Sequence, residues 1–317
     1  MNKSTSLERS HASHAAATDE RPEPATLTEI NEFGVNPGAL RLLFYAPIGL
    51  PSDAPLVIVL HGASQTAHDY AHGAGWLTLA DRFGFAVLSP EQTLENNVLR
   101  CFNWFEPADN SRQGGEAFSI QEMVRWAIDV HALDANRVFL TGLSSGGAMT
   151  AVMLATYPEM FAAGAVISGL PYGAAENMWG AVRAMSHGNG QSSREWGDKV
   201  RGASSNKGPW PCVSIWHGDN DSTVRVGASD DLISQWTNVH GVEGDFVEVL
   251  ADEGRSHRIW RSADGRPKVK SHRINDLAHG TPLMTEGADG CGTAGPFLLD
   301  VGISSSAEIA RSWGIAD

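Results

Sequence analysis

The stretch Thr141-Gly142-Leu143-Ser144-Ser145-Gly146-Gly147 reads TGLSSGG and holds the pattern G-x-S-x-G at residues 142–146. Alone the pattern is weak. With 34 glycines in 317 residues, chance supplies roughly a third of a match per chain. The surroundings give it weight. RVFLTG (Arg137–Gly142) is an apolar run that predicts a strand, and SGGAMTAVMLATYP after it has helical composition. In a strand–turn–helix setting the flanking glycines permit a tight turn, and the serine oxygen is pushed out above a sheet. The N-terminus of the helix then offers free N–H groups to a developing oxyanion.

The same strand form recurs on both sides of the motif. PLVIVLHG (Pro55–Gly62), FAVLSP (Phe85–Pro90), FAAGAVISG (Phe161–Gly169) and CVSIWHG (Cys212–Gly218) are apolar runs ending at turns, as in strands buried on both faces. Ile120, Met123, Val124, Ala127 and Ile128 follow the spacing of one apolar helix face. Ser305 and Glu308 are spaced as a capping box for a last helix carrying Ile309 and Trp313. Strands alternating with helices predict an α/β fold, a mainly parallel sheet with helices on both faces. Ile259–Ile274 reads instead as a hairpin turning at Asp264-Gly265. Leu170–Gly208 is too long for a simple connection and is a candidate lid insertion. The polar opening, residues 1–30, reads as a disordered arm, and 31–317 as one catalytic domain.

The formal net charge of −14 argues against nucleic acid or an anionic membrane as partner. No apolar run approaches the ~18 residues that span a bilayer, and the opening lacks the apolar core of a Sec signal, so a cytoplasmic protein is the expectation, secretion the alternative. Cys101, Cys212 and Cys291 exclude a disulfide scaffold. His68 and His72 have metal-ligand spacing, but Asp69 follows His68 where H-E-x-x-H has its glutamate, and no third ligand is evident. Neither metal nor cofactor is expected.

A serine hydroxyl needs a base and an orienting acid. In this setting they follow in the order Ser, Asp or Glu, His, each on a loop after a later strand. IWHGDNDSTV supplies Asp219 and Asp221 after the strand Cys212–Trp216. Asp221 is the expected acid, because the turn at Gly218 carries the chain outward before it, and Asp219 is its rival. NDLAHGTPL places His279 in a loop beyond the strand Lys268–Ile274. His272 sits inside a strand pattern and His240 at a helix end, which leaves His257 as the serious competitor. The oxyanion hole needs a second N–H from the loop after Pro55–Leu60, HGASQ. Ala63 is placed to join Ser145 there, with His61 shaping the loop.

These stretches resemble the catalytic domain of the poly(3-hydroxybutyrate) depolymerase family of esterases, whose relatives include feruloyl and acetylxylan esterases. The resemblance runs from NPGALRLLFYAP (Asn36–Pro47) to GPFLLDVGISSSAEIARSWG (Gly295–Gly314), through LHGASQTAHDY, SPEQT, CFNWF, GLSSGGAMTAVMLATYPEMF, SIWHGDND and AHGTPL. It implies an α/β-hydrolase fold, the triad Ser144, Asp221 and His279, and oxyanion donors at Ala63 and Ser145. It also suggests Trp104 and Phe105 as an apolar wall for the acyl group. Many members carry Cys where this chain has Ala63, so any disulfide made from that position is absent and Cys101 lacks an obvious partner. The implied activity is hydrolysis of short hydroxyacyl esters such as 3-hydroxybutyrate oligomers, with release of feruloyl or acetyl groups from carbohydrate as the alternative. Polymer degraders of the family add a binding domain. None follows Asp317, so weak attack on crystalline polymer is expected.

Overall fold

The computed structural model describes residues 25–187, 190–244, 246–251 and 254–317. Up to the motif the elements are β1 (Thr28–Ile30), β2 (Arg41–Tyr45), β3 (Leu56–Leu60), α1 (Ala67–Gly73), α2 (Trp76–Phe83), β4 (Ala86–Glu91), α3 (Gly115–His131) and β5 (Val138–Leu143). Then come α4 (Ser145–Thr156), β6 (Ala163–Ile167), α5 (Met178–His187), α6 (Ser193–Gly202), β7 (Cys212–Gly218) and α7 (Gly227–His240). The last are β8 (Phe246–Ala251), β9 (Arg255–Arg261), β10 (Pro267–Ile274), β11 (Thr281–Leu283), β12 (Leu298–Asp300) and α8 (Ser305–Ser312).

Ten strands form one sheet in the order β1-β2-β4-β3-β5-β6-β7-β10-β9-β8. The six from β4 to β10 in that order run parallel, and the pairs at either side are antiparallel. The composition of β3 explains its central place. All five residues, Leu-Val-Ile-Val-Leu, are fully buried. Leu56, Ile58 and Leu60 pack with α3 and α4, while Val57 and Val59 face α1, α2 and α8. A strand covered on both faces needs apolar residues at every position, each contributing about 2 kcal/mol by burial. The fold is the α/β architecture expected from the sequence.

Three details differ from the sequence reading. Residues 1–24 of the expected arm lie outside the described residues, but Thr28–Ile30 within it pair with Leu42–Phe44 as the edge strand β1. The last helix is capped at Ser304, not by a box of Ser305 and Glu308. Ser305 donates its hydroxyl to the Pro282 carbonyl, and Glu308 pairs with Arg255 at 2.7 Å. Long-range partners took both groups from the local motif. Finally, part of the candidate lid Leu170–Gly208 is anchored in the core. The capping box of Ser192 and Glu195 starts α6, whose Trp196 is fully buried and donates its indole N–H to Asp231 on α7 at 3.2 Å. The preceding helix, α5, leaves Trp179 85% exposed.

Candidate active site

Ser144 joins β5 to α4 with φ +55° and ψ −113°. A non-glycine residue held there costs about 1–3 kcal/mol, and the surrounding close packing enforces it. A Cβ on Gly146 would come within 2.3 Å of the Leu60 carbonyl oxygen, so the first turn of α4 touches the end of β3 backbone to backbone. The Ser144 amide donates to the Ile167 carbonyl at 2.9 Å, tying the turn to β6. Ser145, the first residue of α4, is buried, and an N–H in the first turn of a helix has no partner within it.

The loop after β3 carries Ala63, the expected second donor. Gly62 N–H donates to Gln65 Oε1 at 2.8 Å, Ser64 N–H to Leu99 at 2.7 Å and Gln65 N–H to Gly62 at 3.2 Å. Ala63 N–H, between them, meets no acceptor among the described residues. The loop thus satisfies its other amides and leaves the Ala63 N–H open.

Asp221 lies beyond β7, and its environment separates it from Asp219. Its Oδ1 accepts the N–H groups of Thr223 and Val224, both at 2.9 Å, and its Oδ2 stands 2.7 Å from His279 Nδ1. His217, fully buried, places Nε2 3.4 Å from the same Oδ2 and 2.8 Å from the Val224 carbonyl. Burial pushes the Asp221 carboxyl up, but the hydrogen bonds from His217, His279 and the Val224 N–H outweigh it and hold the group well below the usual carboxylate range. An ionised Asp221 keeps the proton of His279 on Nδ1 and leaves Nε2 free to accept another. Asp219 instead accepts the Asp276 N–H at 2.6 Å, the work of a loop residue.

The loop that carries His279 is fastened to the end of β7. Asn220 N–H donates to the Leu277 carbonyl at 3.2 Å, and a Cβ on Gly218 would come within 2.1 Å of that oxygen. The structure therefore brings Asp221 and His279 into contact at the strand edge where Ser144 stands. Among the described residues Ser144 makes no hydrogen bond with His279. His257 is elsewhere: it stacks on His272, 4.1 Å between ring centres, in the middle of β9 and β10. His240 bonds the Pro211 carbonyl at the end of α7. His68 and His72 stack at 5.9 Å on α1, and no cluster of three metal-ligating side chains occurs among the described residues.

Trp104 and Phe105 are buried, packed edge to face at 5.3 Å within the core on the α3 and α4 side. Behind them stands Glu116, fully buried at the start of α3, a residue unmarked in the sequence except as an acid in a first turn. It accepts hydrogen bonds from Gln92 Nε2 at 2.5 Å, Asn96 Nδ2 at 3.3 Å and the Asn103 N–H at 2.8 Å. Burial, with Asp109 nearby, pushes its carboxyl up to about 8. His217 was also unmarked in the sequence, although its position four residues before Asp221 was a usable signal. All three cysteines are free thiols. Burial pushes Cys101 up to about 12, with the adjacent Ser145 hydroxyl working the other way.

Residues 40–261 match the family described as esterase PHB depolymerase. The chain belongs to that family. It is 43% identical over 293 residues to a poly(3-hydroxyalkanoate) depolymerase C of Paucimonas lemoignei, covering 91% of this chain and 70% of the relative. It is 34% identical to a feruloyl esterase B of Talaromyces stipitatus, over 69% of this chain and 62% of that one, less than two thirds of the esterase's length. An acetyl xylan esterase from Aspergillus awamori superposes with a TM-score of 0.77 at 25% identity, covering 92% of this chain and all of that one. This family member is thus a carboxylic ester hydrolase with an α/β-hydrolase fold. No helix among its described residues is long and apolar enough to cross a membrane.

Proposed function

We propose that this esterase hydrolyses short hydroxyacyl esters, 3-hydroxybutyrate oligomers foremost, through an acyl-enzyme on Ser144. The observation that carries the proposal is the 2.7 Å contact of His279 Nδ1 with Asp221 Oδ2 at the strand edge bearing the strained Ser144. His279 Nε2 takes the proton as Ser144 Oγ attacks the ester carbonyl, and Asp221 stabilises the imidazolium. The oxyanion that forms accepts from the Ala63 and Ser145 N–H groups. Collapse expels the alcohol, which takes the proton from His279. Water then repeats the sequence on the acyl-enzyme and frees the acid.

An apolar rim supports a hydroxyacyl substrate. Phe297, 41% exposed, stands edge-on to His279 at 5.8 Å. Leu99, whose carbonyl holds Ser64 beside the oxyanion loop, is also exposed. Trp104 and Phe105 shape the acyl side from within the core. One catalytic domain is supported by a sheet that takes strands from residue 28 to residue 274, and a cytoplasmic setting by the three free thiols. The alternative, release of feruloyl or acetyl groups from carbohydrate, is favoured by the superposition on the acetyl xylan esterase.

Initial rates on 3-hydroxybutyrate dimer and trimer, amorphous polymer, crystalline film, methyl ferulate and acetylated xylan separate the two. The proposal expects the trimer to lead. Preference for methyl ferulate or acetylated xylan over every hydroxyacyl ester would replace it with the alternative. Equal product release from film and trimer would extend the substrate to the polymer surface.

A further inference from the structure

His61 ends the run of β3 and opens the oxyanion loop, and it is completely buried. Each ring nitrogen has one partner. The backbone N–H of Gln92 points at Nε2 from 3.0 Å, and Nδ1 lies 2.7 Å from the Gly62 carbonyl oxygen. A backbone amide only donates and a carbonyl only accepts, so Nε2 is bare and Nδ1 carries the proton. Burial holds the imidazole down to about 4, so the ring is neutral at pH 7. With both nitrogens occupied and no solvent access, His61 cannot serve as a second base.

Its partner is what gives the ring a role. The Gly62 oxygen belongs to the same peptide unit as the Ala63 nitrogen. That unit is planar and trans, with its C=O and N–H pointing in opposite directions. The bonds that pin the oxygen, from His61 Nδ1 at 2.7 Å and more weakly from the Gln65 N–H at 3.2 Å, therefore aim the amide. We infer that His61 is a positioning residue for the oxyanion hole: fixed as the Nδ1–H tautomer by the Gln92 amide, it holds the Gly62–Ala63 peptide so that the Ala63 N–H faces the developing oxyanion. The inference rests on the proposed use of Ala63 as a donor.

The support behind His61 is itself fixed. Gln92 is fully buried, donating its side-chain amide to Glu116 and to the Cys101 carbonyl at 3.1 Å and accepting the Thr93 N–H at 3.0 Å. Phe102 lies against the imidazole, 4.8 Å between ring centres. Glu116 thus ties the loop of Asn103 and Trp104 to the residue that sets the tautomer of His61. A preorganised donor is aimed before the charge appears, which is the condition under which it lowers a barrier.

The test combines a direct measurement with three variants. In the 15N-labelled wild type, long-range proton–nitrogen correlations should assign His61 as the Nδ1–H tautomer, with no protonation down to about pH 5. An Nε2–H tautomer or an imidazolium overturns the inference. His61→Phe removes the shorter of the two bonds to the Gly62 oxygen, leaving the Gln65 N–H at 3.2 Å, and should lower kcat about 10- to 100-fold with KM within about 3-fold. Affinity for a boronic acid that forms a tetrahedral adduct should fall in parallel. His61→Asn keeps an N–H near the Nδ1 position and should recover most of kcat. Unchanged kcat in His61→Phe, or a loss confined to KM, overturns the inference. Ala63→Pro, which deletes the N–H itself, tells the two levels apart. If it is inactive while His61→Phe is not, the donor stands and the positioning role falls. If Ala63→Pro keeps full kcat, Ala63 is no donor and both fall.

Discussion

Two walls of the site are built on opposite terms. The oxyanion wall has His61, Gln92 and Glu116 wholly buried, and hydrogen bonds join them to one another and to the Gly62–Ala63 peptide. The contrasting element is α5, fastened near Asp221 by the Arg225 N–H, four residues after it, bonded to the Met185 carbonyl at 2.8 Å. Its Met178, Trp179 and Val182 are exposed, and among the α5 residues only Ala181 and Ala184 are buried. Groups that aim charge must be fixed and dry, because a hydrogen bond is strongest where water does not compete. Groups that accept a variable acyl chain need only apolar area, and they can lie at the surface. The buried wall should therefore affect all substrates alike, and the exposed wall should sort them.

The sharpest break of that comparison lies at the residues on which both walls converge. Ser144→Ala and His279→Ala should each lower kcat by several orders of magnitude on every ester, with the fold intact by circular dichroism, because the triad acts as a unit. An organophosphate should label the enzyme once, at Ser144. A label mapping to another serine would remove the assignment. His257→Ala should keep most activity, since its ring is engaged with His272 in mid-sheet.

Next in size is the contrast of the two aspartates. Asp221→Asn leaves His279 without its ionised partner and should cost on the order of 10⁴ in kcat. Asp219→Asn alters a loop contact with the Asp276 N–H and should cost less than about 10-fold. Interchanged ranks would assign the acid to Asp219.

How much of this was legible in the sequence follows from how far apart the partners lie. The start of β7 at Cys212 was legible to the residue from its apolar run, while the strand runs to Gly218, two residues past the expected end at Trp216. Asp221 and His279 were expected from loops after strands, and the structure places their side chains 2.7 Å apart. The capping box at Ser305 was readable but overridden, since Glu308 finds Arg255 53 residues away. Glu116 was invisible for the same reason: Gln92 and Asn103 lie 24 and 13 residues before it and meet it only in the folded chain. A local pattern marks a functional residue when its neighbours in sequence are also its neighbours in space.

The exposed wall gives a smaller and selective effect. Trp179→Ala should leave the melting temperature unchanged, because the side chain is 85% exposed. It should raise KM for the trimer by about 3- to 10-fold while hardly changing hydrolysis of a short acetate ester. Equal losses on both esters would place Trp179 with the uniform wall and dissolve the contrast.

Acid should weaken the fold through its buried histidines. His61 and His240 are held down to about 4, and His272 well below its ordinary value, each chiefly by burial. Between pH 6.5 and 4 the unfolded chain takes up protons that the folded chain refuses, so stability is full above about 6.5 and falls as pH drops. For His61 or His240 the loss saturates at about 3 kcal/mol. Glu116 has the opposite sign. Its folded pKa of about 8 lies above the unfolded 4.5, so its contribution is present below about 4.5 and is lost as pH rises to 8. Three histidines against one glutamate leave a net decline on acidification from 6.5 to 4.5. Urea midpoints at pH 7, 6 and 5 should record it. His240→Gln, away from the site, preserves a donor for the Pro211 carbonyl and removes one titrating ring. It should flatten the slope by up to about 1.4 kcal/mol per pH unit. An unchanged slope would mean that His240 titrates alike in the folded and unfolded chains, so that burial does not hold its ring neutral at the end of α7.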